Sequence, residues 1–422
     1  MRQQAARQFA ESRAETREER VDVTIVMPCL NEAQCLPHCI MNAREALRRI
    51  GDEYGLAGEI VIADNGSTDG SQMLATGLGA RVVDVSERGY GAALIGGGHA
   101  ARGKYILMGD ADGSYDFTDG VAMIGELEGG AELCMGSRFK GGIAPGAMPW
   151  KNRYIGNPVL TGILNLFFRP GISDAHSGLR AIRKDSFLAL GLSGAGMEFA
   201  SEMVIKAALR RLRIAETPVK LLPDLRDRAP HLRPWRDGWR HLRYLFMLSP
   251  SWVFGVPAVV GSLISLALLF AAVTHQLVPG AFPAVGNYWA ILAAGLLGLS
   301  HMAGILAAAG NLYGVRAGYR LPNPFTRQLA RLFSLESMLV SGGLLIAGGL
   351  GVLGFVLRMW QLRDFAATYS VVPAVVGTLC LTLGFQNVLG GFLLAIVGGN
   401  EARFMTVSDE SAKSSDDVAI AA

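Results

Sequence analysis

The stretch whose reading decides the fold is Lys104-Tyr105-Ile106-Leu107-Met108-Gly109-Asp110-Ala111-Asp112-Gly113-Ser114. Its first half is a short apolar run closed by a glycine, and it reads as a strand over 104–109. Its second half is an acidic, glycine-flanked triplet. In an extended segment residues i and i+2 point the same way. Asp110 and Asp112 are therefore expected to bring two carboxylates to one side. Like charges held there repel unless a cation lies between them. A hard divalent ion that keeps water and takes phosphate oxygens meets that need. The plainer alternative is an acidic surface turn, because such triplets are common. The position at the carboxyl end of a strand favours a site.

Working outward, further short runs at 23–28, 59–64, 81–85, 132–135 and 216–222 read as strands. Between them, 34–50, 69–78, 92–102, 118–127, 154–168 and 198–211 read as helices. This alternation predicts an α/β domain with a largely parallel sheet and helices on both faces. Such sheets bind ligands at the carboxyl ends of their strands. Two more motifs fall there. Pro28-Cys29-Leu30-Asn31-Glu32 follows the first strand, where a dinucleotide-binding domain would carry G-x-G-x-x-G. The glycines Gly89, Gly91 and Gly96 to Gly98 come only after the third, which argues against a dehydrogenase. Asp64-Asn65-Gly66-Ser67-Thr68-Asp69-Gly70 ends the second strand. Its Asp64 is placed to accept hydrogen bonds from a base or ribose, and Ser67 or Thr68 to cap the next helix. A plain Asn-Gly turn is the equal alternative.

The remainder of the chain has another character. Of 422 residues, half are hydrophobic and 18% are charged, well below the roughly 25% usual in soluble domains. The excess apolarity lies beyond Ser251, in uncharged stretches at 252–274, 288–312, 337–357 and 371–397. Each exceeds the ~20 residues that cross a bilayer. Between residues 210 and 243 there are ten Lys or Arg against four Asp or Glu. A basic segment beside a span is drawn to anionic headgroups by about 1 kcal/mol per residue. The link 275–287 carries no Lys or Arg, whereas the link between the second and third spans holds Arg316, Arg320, Arg327 and Arg331. This asymmetry places the α/β domain and both termini in the cytosol. The chain thus divides into a charged tail 1–20, an α/β domain 21–225, a basic interfacial segment 226–251 and a four-span region 252–398. An amphipathic link is expected near 321–335. The tail 399–422 reads as disordered. No apolar signal core follows the N-terminal tail. The net charge of +3 gives no sign of nucleic-acid binding. Cys35 and Cys39 are four apart on an expected helix, but without a partner His or a second pair the five cysteines read as reduced thiols.

Taken together, PCLNE, ADNGST and DADGS resemble, in order and spacing, the nucleotide-sugar transferases of family 2 with the GT-A fold. The likeness is greatest to the polyprenyl-phosphate sugar synthases of the dolichyl-phosphate mannose synthase type, and it covers about residues 22–250. Gly136-Ser137-Arg138 and Ser177-Gly178-Leu179-Arg180 resemble the later motifs of that family. The resemblance implies that Pro28, Leu30, Glu32 and Asp64, with Asn65 and Ala111 alongside, hold the nucleotide. It implies that Asp110 and Asp112 bind Mg²⁺ or Mn²⁺ against the diphosphate of a GDP- or UDP-sugar. Arg138 and Ser177 would face the reacting phosphates, and Arg226 and Arg228 would meet the acceptor phosphate, with Asp110, Asp112, Arg138 and Arg226 as the catalytic set. Membrane-surface attraction is the simpler reading of Arg226 and Arg228. Three positions depart from the pattern: Leu30 stands for the usual Tyr, Asn65 for a second Asp, and Ser114 for a Gln often given to the metal. These bear on which sugar and nucleotide are used.

The implied reaction is inverting transfer to a polyprenyl phosphate at the bilayer. Other membrane glycosyltransferases, making glycolipid or polysaccharide, are the first alternative, although no Trp here follows an Arg as the Q-x-x-R-W of processive synthases requires. A non-catalytic transport or scaffold protein is the second. The spans contain no Asp, Glu, Lys or Arg, whereas transport pathways usually hold some. Glu198 and Glu202 read either as site carboxylates or as a solvated helix face. His301 reads as a packed histidine. Association through the helices stays open.

Overall fold

In a computed structural model, residues 20–227, 234–278, 282, 285–322, 334–366 and 370–399 are described. The tails 1–19 and 400–422, Arg228 and most of the expected amphipathic link (323–333) lie outside the described residues. The chain divides into two compact units, one built from residues 1–249 with 319–321 and the other from 250–318 with 322–422.

In the first unit, in chain order, β1 (Val23–Cys29), α1 (Leu36–Tyr54), β2 (Gly58–Asp64), α2 (Ser71–Gly77), β3 (Arg81–Asp84), α3 (Tyr90–Ala100) and β4 (Tyr105–Met108) come first. There follow α4 (Gly120–Glu128), β5 (Leu133–Ser137), α5 (Asn157–Phe168), β6 (Arg180–Arg183), α6 (Lys184–Leu190), α7 (Phe199–Leu209), β7 (Ile214–Pro218) and α8 (Pro234–Met247). The seven strands form one sheet in the order β3-β2-β1-β4-β6-β5-β7. All neighbours are parallel except β6, which runs antiparallel to β4 and β5. The expected parallel sheet is therefore interrupted by one strand that periodicity did not reveal. Arg180–Arg183 is four residues with arginine at both ends, too short and too charged to stand out. The last strand also lies earlier than 216–222.

Both faces of the sheet are covered, as continuous apolar strands require. Alternate residues serve opposite cores. Val23, Ile25 and Met27 of β1 pack with Leu36, Cys39 and Ile40 of α1 on one face. Val26, with Val61, Ile106 and Met108, packs on the other against α3, α5 and α7. The glycines of α3 allow it to lie directly on the sheet. A Cβ on Gly97 would stand 2.5 Å from Val26 Cγ1, and one on Gly98 would stand 2.5 Å from the Phe187 ring.

The second unit holds four long apolar helices, α9 (Val256–Leu277), α10 (Asn287–Arg316), α11 (Leu335–Gln361) and α12 (Val372–Gly398). With the turn before α9 included, the spans are Ser251–Leu277, Asn287–Arg316, Leu335–Gln361 and Val372–Gly398, with mean hydropathies of 1.8 to 2.4. Helices pack in lipid through small residues that let backbones approach. Here a Cβ on Gly342 of α11 would lie 2.8 Å from the Gly384 carbonyl of α12, and one on Gly349 equally close to that of Gly377. His301 donates from Nδ1 to Gln386 Oε1 at 2.9 Å, a packed polar pair between α10 and α12.

Candidate active site

Three loops meet at the carboxyl ends of β1, β2 and β4. Cys29 and Asp64 pair in register at the ends of β1 and β2. The two loops beyond them are tied together. The Asn31 amide donates to Ser67 Oγ (2.9 Å), the Thr68 amide to Asn31 Oδ1 (2.8 Å), the Glu32 amide to Ser71 Oγ (3.1 Å) and the Ala33 amide to Asp69 Oδ2 (2.9 Å). Asn31 takes a left-handed backbone, φ 58°, a conformation Asn tolerates. The polar residues of the second motif thus serve to fix the first. Neither Ser67 nor Thr68 caps the next helix, whose N-cap is Gly70.

Asp64 is buried at the end of β2. Its Oδ2 accepts from the Gly66 amide (2.9 Å), the Ser67 amide (3.0 Å) and Gln72 Nε2 (2.6 Å). Burial pushes this carboxyl up, but the Ser67, Gln72 and backbone hydrogen bonds prevail and hold it below its ordinary value. Its Oδ1 is buried with no partner among the described residues. An orphaned acceptor is costly, and a ribose hydroxyl or base N–H would satisfy it. Pro28 and Leu30 are half-buried beside it. Asn65 turns elsewhere. Its Nδ2 donates to the carbonyls of Val85 (3.0 Å) and Glu87 (2.6 Å), and its Oδ1 accepts from the Gly89 amide (2.7 Å). Its side chain is engaged within the protein, so any donor contact at this position falls to its backbone.

After β4 the chain turns at once, and 110–114 is not extended. The i, i+2 geometry expected of Asp110 and Asp112 does not hold, yet the turn still brings the two carboxylates together. Burial first, and then the Asp112 charge, raise the Asp110 carboxyl to about 6, against the Tyr90 hydrogen bond and the Arg180 and Arg226 guanidiniums. Ser114, through its amide (3.0 Å) and hydroxyl (2.6 Å), donates to Asp112 Oδ1. Asp112 Oδ2 ion-pairs with Arg226, which also reaches Glu32 Oε1 at 3.2 Å and Asp224 Oδ2 at 3.5 Å. The segment carrying Arg226 is strapped over the turn: the Leu222 amide donates to the Ser114 carbonyl and the Leu225 amide to the Asp112 carbonyl, each at 2.9 Å. Arg226 thus lies with the first and third motifs. Ala111 is buried between the two aspartates.

Among the described residues no three His, Cys, Asp or Glu side chains are placed to hold a metal ion. The carboxylate pair still fits a Mg²⁺- or Mn²⁺-class ion, which characteristically takes one or two carboxylates and fills its shell with water and substrate phosphate.

Two expected phosphate contacts are placed differently. Arg138 closes a fork on Asp174, Nε to Oδ2 at 2.6 Å and Nη2 to Oδ1 at 2.8 Å, with both residues buried. Ser177 is fully buried, its hydroxyl directed to the Leu179 carbonyl at 3.5 Å. Both hold the loop before β6 instead of presenting donors to a ligand in this conformation. Glu202 is also fully buried, with Lys206 Nζ (2.7 Å) and the Gly194 amide (2.7 Å), so it is not a solvated helix face. Glu198 accepts from the Gly196 amide at 3.1 Å.

Sequence reasoning missed three groups. Arg180, 1% exposed, lies beneath the acidic turn, with Nη2 bonded to the Ser177 carbonyl. Tyr90 donates to Asp110 Oδ1 at 2.9 Å. His176, Ser201 and His241 form a chain, Nε2 to Oγ at 3.2 Å and Oγ to Nδ1 at 2.7 Å. Burial, followed by the His241, Arg138 and Arg180 charges, holds His176 well below its usual value and therefore neutral. Only Arg180 carried a signal, as the last residue of the SGLR motif.

A Rossmann-like sheet with acidic motifs at its strand ends is followed by four helices long and apolar enough to cross a membrane. Residues 24–191 match the family described as Glycosyl transferase family 2, and residues 308–398 match its C-terminal transmembrane region. The chain is 35% identical over 377 residues to the low-salt glycan biosynthesis hexosyltransferase Agl6 of Haloferax volcanii, covering 89% of each protein. It is 27% identical to the polyprenol monophosphomannose synthase of Mycolicibacterium smegmatis, over 46% of this chain and 75% of that one. A solved structure of glucosyl-3-phosphoglycerate synthase from Mycobacterium tuberculosis, with Mn²⁺, uridine diphosphate and glucosyl-3-phosphoglycerate, aligns at a TM-score of 0.40 and 21% identity, over 55% of this chain and 80% of that one. The chain belongs to glycosyltransferase family 2: it is an integral membrane glycosyltransferase with a GT-A domain.

Proposed function

We infer that the protein transfers a hexose from a nucleoside-diphosphate sugar to a polyprenyl phosphate at the cytoplasmic face of the membrane, with inversion. The observation that carries this reading is the carboxylate pair Asp110 and Asp112 at the end of β4, faced by Arg226, with the orphaned oxygen of Asp64 at the end of β2, on the other side of β1. Asp64, with Pro28 and Leu30, takes the nucleoside. Asp110 and Asp112 hold a divalent cation, which, when bound, neutralises charge on the diphosphate. Arg226 exchanges its carboxylate partners for phosphate, to which its planar fork is suited. An acceptor phosphate oxygen attacks the anomeric carbon from the face opposite the diphosphate. The bond to the diphosphate oxygen breaks and its electron pair leaves with the nucleotide. The acceptor is already anionic at neutral pH, so the chain need supply no strong base. Arg228 is kept as an acceptor contact from the resemblance alone.

The polyprenyl acceptor is supported by the three motifs, by the match to a polyprenol monophosphomannose synthase and by the four spans. The cytoplasmic placement is supported by the arginines beside the first span and between the second and third. The test is transfer from a panel of labelled nucleotide sugars into solvent-extractable lipid, with and without added polyprenyl phosphate. Label that enters lipid only with that acceptor supports the reading. Label that enters endogenous diacylglycerol lipid instead assigns the alternative glycolipid synthase.

A further inference from the structure

The acidic turn is held from behind by a residue with no assigned role, and that residue is anchored by Asn65 of the second motif. Tyr90 opens α3 and donates its hydroxyl to Asp110 Oδ1 at 2.9 Å. The other oxygen of that carboxylate lies against Gly178, where a Cβ would stand 2.3 Å from Oδ2. Asp110 is thereby gripped on both sides.

The start of α3 is fixed with equal firmness. Asn65 donates to the Val85 and Glu87 carbonyls and accepts from the amide of Gly89, the residue before Tyr90. Arg88 donates to the Asn65 carbonyl. Gly89 has φ 140°, and a Cβ there would lie 2.1 Å from the Ala195 carbonyl oxygen, so no other residue fits. The first turn of α3 is tied to the same carbonyl by the Ala92 amide at 3.1 Å. The two bonds donated to the Val85 and Glu87 carbonyls need the side-chain amide of Asn65. An aspartate would turn two donated hydrogen bonds into two contacts between a carboxylate and a carbonyl.

The geometry points to Asn65 and Tyr90 as a positioning relay that orients Asp110 for its cation, so that the second motif acts on the metal through the third. This rests on the reading that Asp110 and Asp112 hold a divalent ion. Residues that orient metal ligands typically govern affinity by about 10- to 100-fold.

The test is Mn²⁺ binding to the full-length, detergent-purified, donor-free protein, followed by the electron paramagnetic resonance signal of free Mn²⁺. Tyr90→Phe keeps the ring and removes the hydroxyl. It is expected to weaken Mn²⁺ about tenfold, measured on protein shown to be folded by its metal-free melting curve. Asn65→Asp keeps the side chain's size and adds a negative charge near the site. The relay predicts weaker binding all the same, and the double variant no weaker than the worse single one. Tyr90→Phe within twofold of wild type, or Asn65→Asp binding Mn²⁺ more tightly, overturns the relay and leaves the cation site standing. Wild type without measurable Mn²⁺ binding that Asp112→Asn abolishes sinks the cation reading itself.

Discussion

Arg226 is the residue on which two roles converge. In the donor-free protein it is the counter-ion of Asp112 and Glu32, largely buried, and stands in for a cation. Removing one partner of a buried ion pair costs about 3–5 kcal/mol because the other charge is left uncompensated. Arg226→Gln should therefore destabilise the metal-free protein by about that amount. Added Mn²⁺ should restore more stability to the variant than it gives to wild type, and bind it more tightly. Thermal unfolding with and without Mn²⁺ measures both. An arginine that served only the acceptor would leave the Mn²⁺ response unchanged. Asp110 gives a pH signature. Its carboxyl is raised to about 6 by burial and by Asp112, so the protonated form persists further into the neutral range. As pH falls through about 6, proton and metal compete for the same oxygen and Mn²⁺ affinity should fall. In the metal-free protein the sign of stability is opposite. A carboxyl raised in the folded state favours folding where it is protonated, and that contribution is lost as pH rises through about 6. Mn²⁺ titrations and denaturation midpoints between pH 5 and pH 7 would show the two trends; a flat profile in both would contradict the coupling of this pair.

Among elements, α5 is apolar on two sides. Leu164 and Thr161 face the core, while Ile155, just ahead of the helix, Val159 and Leu166 are 52%, 53% and 55% exposed. Basic and aromatic residues precede it, with Lys151 over the Trp150 ring and Arg153 over Tyr154. It packs on α8 through Phe167 and Phe246, ring centroids 5.9 Å apart, and α8 ends four residues before the first span begins. An exposed apolar stripe flanked by basic and aromatic residues is the pattern of a helix resting in a bilayer interface. Val159→Glu should leave Mn²⁺ and nucleotide binding unchanged and lower transfer to a polyprenyl phosphate in bilayers by tenfold or more. Equal transfer by variant and wild type would remove α5 from the lipid surface. Elements also mark the boundary of what the sequence discloses. β1 and β4 were legible because both of their faces are buried and their apolar runs are unbroken. β6 was not, because pairing between β4 and β5 makes it a strand and its own composition does not. The glycines of α3 looked like a failed dinucleotide motif until their close approach to Val26 and Phe187 gave them a packing role.

At the scale of the molecule, a GT-A fold and four spans were legible in the sequence, because each half obeys its own solvent. Two-faced burial governs the first and hydrocarbon thickness the second. The site was legible in part. Asp64, Asp110 and Asp112 follow β2 and β4, as the strand pattern expected, and Arg226 reaches Asp112 from the segment beyond β7; what each binds is a proposal. Arg138 and Ser177 carried the same motif signal but are taken up by Asp174 and by burial, because a motif does not distinguish a residue that faces a ligand from one that holds the loop beneath it. Tyr90 lay outside every motif, since its contact with Asp110 exists only once α3 is laid on the sheet.

The central claim is that Asp110 and Asp112 drive cation-dependent transfer of a sugar onto a polyprenyl phosphate. The most direct measurement is mass spectrometry of polyprenyl phosphate recovered from bilayers holding wild-type or Asp112→Asn protein, after incubation with UDP- and GDP-hexoses in Mn²⁺ or in EDTA. Wild type in Mn²⁺ is expected to yield a lipid one hexose heavier, lost in EDTA and reduced at least a hundredfold in Asp112→Asn. A hexosylated polyprenyl phosphate formed equally in EDTA or by Asp112→Asn, or none formed by folded wild type with any donor, would contradict the claim.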